Sequence, residues 1–499
     1  TRKIKLTCFA LTSVTSQDAV DALAFPGSIG LWLDPVESCR VTLETLDISL
    51  LSSETGEEQI RSALIDLPEL LDPASGRMVA GVWVERGKAL RPILLLAVHH
   101  LSVDGVSWRI LLEDLEHLAA GRSLPGRTHS VRDWSDYLVK EAHSLKRLSE
   151  MALWRNIARD VSSLPCEGMI DASDNTLGAT HRYESRLSSK ILERLLSATP
   201  IYRAGIDDLL LTSLGLALYG WRRDYYGLQG SMACAPLLVD LEGHGRESEA
   251  SQLDLTRTVG WFTSAYPVRL DFGGLDLDAA LKGDSAAGYA LRMMKEELRR
   301  TTDRGLGYGI LRWLNEETGK ELSALPRAEI LFNYLGRFEN AHQQDDKRGE
   351  GWRLSQTGLV GGRDNPGRRR FHLIDVNAAI DGSGSLAIGW SYHPEAHSQE
   401  AIIDLAARFN EALEAIARHC HDRPLEQRLT PSDFPLAKAV GLDQPLLDLL
   451  ASTDGFNEVL PLAPLQQGLI YESWSREKDQ EADPYHVQLA LELEGKLDV

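Results

Sequence analysis

The sequence predicts an α/β fold built from two lobes. The chain has 499 residues, which is more than one ordinary hydrophobic core accommodates. An unbroken apolar run, Ile93–Val98, is typical of a strand buried on both faces, and it leads through a short turn into a helix with apolar residues at 3/4 spacing from Trp108 to Leu118. The same alternation of strands and amphipathic helices fills residues 188–419. Alternation of this kind indicates an α/β protein.

Composition and charge argue against several classes of protein. Lys and Arg number 53 against 73 Asp and Glu, and the resulting net charge of −20 argues against nucleic acid as a partner. No segment approaches about 18 consecutive apolar residues, so no membrane partner is expected. The N-terminal segment does not resemble a secretory leader, and the five scattered cysteines form no CxxC pair, which together predict a cytoplasmic location.

The first lobe is expected over residues 1–175. Its N-terminal 60 residues carry mixed signals, apart from an alternating stretch at 39–51 that predicts a strand. The remaining expected elements, each justified by its apolar spacing, are a polar helix at 57–70, strands at 77–84 and 93–98, the helix from Trp108, helices within 131–160, and a crossing loop at 162–180.

The second lobe is expected over residues 176–425. Amphipathic spacing predicts its helices and β-branched or aromatic enrichment predicts its strands. In chain order these are helices at 188–198 and 207–221, a strand at 231–241, a turn and a strand within 257–270, helices at 277–301 and from 305 to 321, a strand at 329–338, a hairpin at 371–380 and 386–392, and a helix at 398–419.

The C-terminal segment is rich in proline. Six of the 20 prolines lie between Pro424 and Pro464, which predicts an interdomain linker at 426–455 that is extended rather than packed. Only 31 residues follow Gly468, fewer than the roughly 40 below which chains rarely fold alone, so residues 456–499 are expected to begin a further domain. Since the chain also begins without Met, we expect it to have been processed or cut from a longer protein.

The turn after Ile93–Val98 carries the first candidate functional residues. It presents His99 and His100, followed by Asp104 and the turn residue Gly105. The residues alone allow a purely structural role, a metal site, or a general acid/base histidine. Adjacent residues of a strand point to opposite faces, so the two histidines do not readily share one ion, and no metal site is expected.

A second constellation, Glu242 to Glu247, reads EGHGRE at the end of an apolar strand. A glutamate in a desolvated pocket has a raised pKa, as a general base requires, whereas the alternative is an ordinary charged surface turn. Motifs of other chemistries are absent from the sequence: there is no GxSxG elbow, no GxGxxG after a strand and no Walker A loop.

Six motifs, taken in order, carry a family resemblance over roughly residues 40–425. They are HHLSVDGVSW (99–108), DDLLLTSLG (207–215), EGHGRE (242–247), RTVGWFTSAYP (257–267), GLGYG (305–309) and FNYLG (332–336). Together they resemble the epimerization domains of non-ribosomal peptide synthetases. The resemblance implies the condensation-domain superfamily fold, in which two chloramphenicol-acetyltransferase-like lobes, each an α+β two-layer sandwich, form a V-shaped pseudo-dimer around the active site.

The resemblance also implies a reaction and its site. The expected activity is L-to-D epimerization at Cα of an aminoacyl or peptidyl thioester on the phosphopantetheine arm of a carrier domain. Inversion calls for one acid/base group on each face of Cα, which assigns catalysis to His100 and Glu242, with His99 in support. The enolate oxygen requires donors, for which Asn333, Tyr334 and the backbone near Gly105 are candidates.

Three further residues are expected to support the site. Ser107 belongs to the histidine turn, and Asp104 and Arg257 are expected to be structural and paired across the channel floor. Proton transfer needs neither metal nor redox cofactor, so none is expected beyond the carrier-bound phosphopantetheine.

The implied partners are an upstream peptidyl carrier domain and a downstream condensation domain. The stretch LPLAPLQQGLIYES (460–473) resembles the opening of such a condensation domain. Two alternatives stand beside epimerization: a condensation-type acyltransferase that forms a peptide bond, and a non-catalytic carrier-docking platform. The P-I-Q-x-W-F opening of the family is not found in residues 1–50, so the N-terminus is expected to be truncated or atypical.

Overall fold

The strands of the computed structural model form three sheets. The structure describes residues 9–12, 30–33, 42–247, 252–337, 366–422, 428–453, 456, 458–478, 485, 487–490, 492 and 494. Strands β1 and β2 are Phe9–Thr12 and Gly30–Leu33, and they pair with each other. The expectation of an atypical N-terminus falls mostly outside the described residues.

The first lobe is built on a three-stranded sheet. Its strands are β3 (Thr42–Asp47), β4 (Val79–Glu85) and β5 (Ile93–Val98), in the order β3-β4-β5, with β3 parallel and β5 antiparallel to β4. Its described helices are α1 (Ser53–Asp66), α2 (Gly105–Ala119), α3 (Val131–Glu141), α4 (Leu145–Ser149) and α5 (Met151–Ile157).

Strand β5 is where the sequence predicted it, but its burial differs. Leu95 is buried in the core that β4 and α1 share, whereas the other five side chains of β5 are only half-buried. The expectation of a strand buried on both faces is therefore wrong. The physical reason is that the two faces of β5 contact separate small clusters, through Ile93, Leu95 and Ala97 on one face and through Leu96 and Val98 on the other, and neither cluster covers the strand completely.

The second lobe is built on a six-stranded mixed sheet with the order β6-β11-β10-β9-β7-β8. The strands are β6 (His181–Leu187), β7 (Leu237–Gly243), β8 (Ser264–Leu270), β9 (Ile330–Arg337), β10 (Ile374–Ile380) and β11 (Leu386–Tyr392). The described helices are α6 (Ser189–Ile201), α7 (Ile206–Gly220), α8 (Leu277–Leu281), α9 (Ser285–Arg300), α10 (Leu306–Trp313), α11 (Glu316–Ala324) and α12 (Gln399–Asp422).

One face of this sheet is apolar and the other is polar. Buried and half-buried residues alternate strictly along β10 and β11, so that Val376 and Trp390 enter the core while Asp375 and Asn377 face away from it. Helices α7 and α12 pack together and contribute many fully buried side chains to that core. The polar face is consequently available for functional side chains.

The helix predicted over 277–301 is divided in the structure. Helix α8 ends at Leu281 and α9 begins at Ser285, with Gly283 between them at a φ of +78°. A left-handed backbone interrupts a right-handed helix, and glycine adopts it without steric cost.

The proline-rich segment is helical rather than extended. Helices α13 (Pro435–Ala439), α14 (Gln444–Thr453) and α15 (Pro464–Lys478) follow one another, and Phe434, Ala437, Leu442 and Leu447 form a hydrophobic cluster. The expectation of an extended, unpacked linker is therefore wrong. Each of these helices has a proline in its first turn, where the missing N–H group is not needed.

The described chain divides into two compact units. One comprises Thr1–Pro200 and Ala204–Arg423, and the other comprises Ile201–Arg203 and Pro424–Val499. Apart from residues 201–203 and 424–425, both predicted lobes fall within the first unit. Their boundary at residues 175 and 176 stays a prediction, as do the linker and next-domain assignments. No helix in the described part of the chain combines the length and the apolar character needed to cross a membrane.

Candidate active site

The two adjacent histidines after β5 have different environments. His99 precedes a single 3₁₀ turn, His100–Ser102, and its Nδ1 atom accepts a hydrogen bond of 3.2 Å from the backbone N–H of Leu101. Burial lowers the pKa of His99, and the charge of His100 lowers it further. His100 is exposed. His99 therefore caps the turn, whereas His100 is its first residue and is exposed to solvent.

Asp104 connects the histidine turn to the second lobe. Its Oδ1 atom caps helix α2 by accepting a hydrogen bond of 2.7 Å from the N–H of Ser107. The Nη2 atom of Arg246, from the EGHGRE motif, lies 3.0 Å from both carboxylate oxygens of Asp104. The backbone N–H of Phe262 donates to the same carboxylate over 3.3 Å. Asp104 is thus a structural junction between the lobes.

The side chain of Arg246 is 7% exposed and is held by the loop that follows β7. Its Nη1 atom donates to the carbonyl oxygens of Leu255 and Thr258 over 2.9 and 2.6 Å. The guanidinium lies 4.1 Å from the ring centroid of Phe262, which is a cation–π contact. A buried arginine bonded in this way fixes the EGHGRE segment against the histidine turn.

The predicted pairing of Asp104 with Arg257 is wrong. Arg257 instead forms ion pairs with two carboxylates later in α2, at 2.9 Å with Glu113 and at short range with Asp114. Asp104 is occupied by Arg246, which lies only a few residues beyond the end of β7 and so reaches the first turn of α2.

Ser107 and Gly105 lie at the start of α2. The hydroxyl of Ser107 is buried, donates to the carbonyl oxygen of Gly260 over 2.9 Å and accepts from the N–H of Gly260 over 3.0 Å. This reciprocal pair is a second link between the lobes. Gly105 is the first residue of α2, and apart from its chain neighbours and the backbone of its own helix no described heavy atom lies within 4 Å of where its Cβ would be.

Glu242 lies near the end of β7 on the polar face of the large sheet. Strands β7 and β9 run parallel, which brings Glu242 beside Asn333, and the Nδ2 atom of Asn333 donates to Oε2 of Glu242 over 2.6 Å. Burial raises the pKa of Glu242, Asp375 raises it further, and the charges of His100 and His372 oppose the shift. The carboxyl group is therefore held in the environment that a proton-transferring glutamate requires.

The structure brings His100 and Glu242 within electrostatic range of each other, although they belong to different lobes. The imidazole of His100 also packs against the indole of Trp261, with ring centroids 5.1 Å apart. Trp261 was not among the predicted site residues, and it is 52% exposed. Its place inside RTVGWFTSAYP, next to the buried Phe262, was the signal that could have identified it.

The structure separates Tyr334 from the other candidates on β9. Strand alternation directs the side chains of Asn333 and Tyr334 to opposite faces. Burial raises the pKa of Tyr334, and Asp207, in the first turn of α7, raises it further. Asn333 therefore contacts Glu242 directly, whereas Tyr334 interacts with the first turn of α7.

Sequence reasoning also missed His372, which interacts electrostatically with Glu242 and lies 2.8 Å from Asp240. The signal was weak, because His372 fell inside the stretch predicted as a strand and belongs to none of the six motifs. Among the residues that the structure describes, no group of three or more His, Cys, Asp or Glu side chains has the arrangement of a metal site.

Comparison with known families decides the relationship of this chain. A family model described as the condensation domain matches residues 30–435. The chain belongs to the condensation-domain family.

Curated relatives of this condensation-family chain are much longer proteins. It is 35% identical to bacitracin synthase 3 of Bacillus licheniformis over 421 residues, which cover 81% of the chain and 6% of the relative. It is 33% identical to tyrocidine synthase 1 of Brevibacillus parabrevis over 372 residues, which cover 72% of the chain and 32% of the relative. The chain thus spans a minor part of each.

Solved structures show the same fold. The epimerization domain from the third module of tyrocidine synthetase B matches with a TM-score of 0.66 and 30% identity, over 83% of this chain and 85% of that one. The condensation domain of the Monacolin K polyketide synthase MokA matches with a TM-score of 0.57 and 14% identity, over 82% and 85%. The predicted α/β fold of chloramphenicol-acetyltransferase type and the predicted superfamily are confirmed.

Proposed function

We propose that this chain inverts the Cα configuration of an aminoacyl or peptidyl thioester, from L to D, while the substrate is tethered to the phosphopantetheine arm of a carrier domain. The observation that most directly supports this is that Arg246, four residues after Glu242, binds Asp104 of the histidine turn, which places Glu242 where the charge of His100 lowers its pKa. Inversion without a cofactor needs one such group on each face of the substrate carbon.

In the proposed reaction one member of the pair removes the Cα proton, and the bonding electrons pass into the thioester carbonyl to give an enolate. The other member delivers a proton to the opposite face. One C–H bond breaks and one forms, so no electron acceptor is needed. Asn333 orients Glu242 through its hydrogen bond. We assign stabilisation of the enolate oxygen to backbone N–H groups in the first turn of α2, near Gly105.

Similarity to an epimerization domain supports this reaction over peptide-bond formation. The identity to that domain is 30%, about twice the 14% identity to the Monacolin K condensation domain. An identity as low as 14% indicates a shared fold alone. We propose an upstream carrier domain and a downstream condensation domain as partners, since the curated relatives are synthases several times longer than this chain. The scattered cysteines support a cytoplasmic location.

The experiment uses a carrier domain loaded with an L-aminoacyl group in deuterated buffer. The wild-type chain is expected to incorporate deuterium at Cα and to yield the D-aminoacyl thioester. His100→Ala and Glu242→Gln are each expected to reduce D-product formation by at least about 100-fold, because each removes one proton-transferring group. Retention of wild-type exchange by both variants contradicts the assignment.

A matched control tests whether loss of exchange in Glu242→Gln is due to loss of the catalytic base or would follow from removing any half-buried carboxylate. Glu329 lies immediately before β9, burial raises its pKa, and it accepts a hydrogen bond from the N–H of Leu164. Glu329→Gln is therefore expected to keep wild-type exchange. If the wild-type chain instead joins the aminoacyl group to a second carrier-bound amine without Cα exchange, it is a condensation enzyme; binding of the carrier with neither reaction identifies a docking platform.

A further inference from the structure

His372 lies beside Glu242 on the polar side of the six-stranded sheet. It lies two residues before the start of β10, and its Nε2 atom is 2.8 Å from Oδ2 of Asp240. Asp240 stands two residues before Glu242 on β7, so the two carboxylates project from the same face of that strand. The Nδ1 atom of His372 is 3.8 Å from Oδ1 of Asp375. The imidazole is 15% exposed and is therefore held between two carboxylates away from bulk solvent.

The carboxylate of Asp375 is itself fixed. Arg370 donates to Oδ2 of Asp375 through Nε over 3.0 Å and through Nη2 over 2.7 Å, and to the carbonyl oxygen of Ser391 over 3.0 Å. The side chain of Arg370 is buried. Because both ring nitrogens of His372 face carboxylate oxygens, the surroundings match an imidazolium cation, which has a proton on each nitrogen.

The groups around Glu242 come from several elements. Its own strand supplies Asp240, and the opposite position on β8 is Ala265, which is uncharged. The remaining described groups are Asn333 of β9, His100 of the turn after β5, His372, and Asp375 of β10, while Tyr308 of α10 interacts with Asp240. Two of these groups are carboxylates that disfavour a third negative charge, and His372 lies between them.

We propose that His372 is a positioning residue for the reaction: held between Asp240 and Asp375, it supplies the positive charge that keeps the Glu242 carboxylate available as a base. The inference rests on the proposed function, because it concerns the group that exchanges the Cα proton. Without this charge, Glu242 would share its face of the sheet with Asp240 and with Asp375. The neighbouring cation Arg370 is bound to Asp375. Glu242 would then retain a proton to higher pH. The direction agrees with the interaction between His372 and Glu242, which lowers the pKa of the latter.

The test compares two substitutions that differ in charge. His372→Gln removes the cation and keeps a hydrogen-bonding side chain, whereas His372→Lys restores a cation between the same two carboxylates. The pH dependence of kcat/KM for Cα exchange is recorded with L- and with D-aminoacyl carrier, because Glu242 is the base in one of the two directions. Thermal unfolding of each variant is measured in parallel.

In the direction in which Glu242 is the base, the acidic limb of the kcat/KM profile of H372Q is expected to shift to higher pH by about half a pH unit or more. The acidic limb of H372K is expected to remain near its wild-type position. An unmoved limb in H372Q overturns the inference. So does an equal displacement in both variants, or loss of exchange in both, since charge would then not be the operative property. Absence of exchange in the wild-type chain would instead refute the proposed function itself.

Discussion

At the scale of single residues, the environment of Glu242 favours chemistry at the expense of stability. The carboxyl group is half-buried, and burial raises its pKa above the value in the unfolded chain. Between these two values the folded protein binds more protons at this position than the unfolded chain does. The folded state is therefore destabilised relative to the unfolded state as the pH rises through that window.

This linkage predicts that Glu242→Gln stabilises the protein in a pH-dependent way. The difference in thermal unfolding temperature between E242Q and wild type is expected to be small at about pH 4 and to increase in favour of E242Q towards about pH 8. Glu44→Gln, at an exposed carboxylate on β3, is the control and should show no such increase. A constant difference across the pH range would contradict the assigned shift.

At the scale of elements, the sequence predicted most strands and helices because their buried faces have clear periodicity. Strand β6 was missed, since only Ser185 and Leu187 of its seven residues are buried and it lies at the edge of the sheet. Proline density was misinterpreted, because prolines that begin helices resemble those of a linker in composition alone. His372 and Trp261 were missed because their roles depend on contacts between segments distant in sequence, which no local pattern records.

The loop after β7 provides a prediction at this scale. Gly245 has a φ of +64°, and a Cβ there would collide with the backbone carbonyl of Phe262. Gly245→Ala is expected to lower the free energy of unfolding by several times the cost of Gly274→Ala. Gly274 has a φ of +79° but open space around it, so its substitution should cost only about 1 kcal/mol of backbone strain. Equal costs, measured by chemical denaturation, would contradict the close approach of the two loops.

At the scale of the whole molecule, the two lobes share a hydrophobic cluster beside the candidate site. Trp134 of α3 packs with Phe262, Leu306 and Ile310 of the second lobe and is 5% exposed. This cluster adjoins the polar junction of Asp104 with Arg246, because Phe262 belongs to both. The hydrophobic cluster around Trp134 and the ion pair of Asp104 with Arg246 thus both hold the first lobe against the loops that follow β7.

Truncation of this cluster is expected to affect stability and activity together. Trp134→Ala should lower the free energy of unfolding by about 3–5 kcal/mol through cavity formation, and should slow Cα exchange because Phe262 adjoins Trp261. Trp313→Ala is the matched control, since that indole is 73% exposed and contacts the guanidinium of Arg312. An unaffected W134A protein, in both denaturation and exchange measurements, would show that the cluster does not hold the lobes.

The EGHGRE segment joins two functions within a few residues, because only three residues separate Glu242 from Arg246. Glu242 carries the carboxylate to which we assign proton transfer, and Arg246 is bound to Asp104, which caps helix α2 after the histidine turn. The distance between the two proposed proton-transferring groups therefore depends on one short covalent segment, in addition to the packing of the Trp134 cluster.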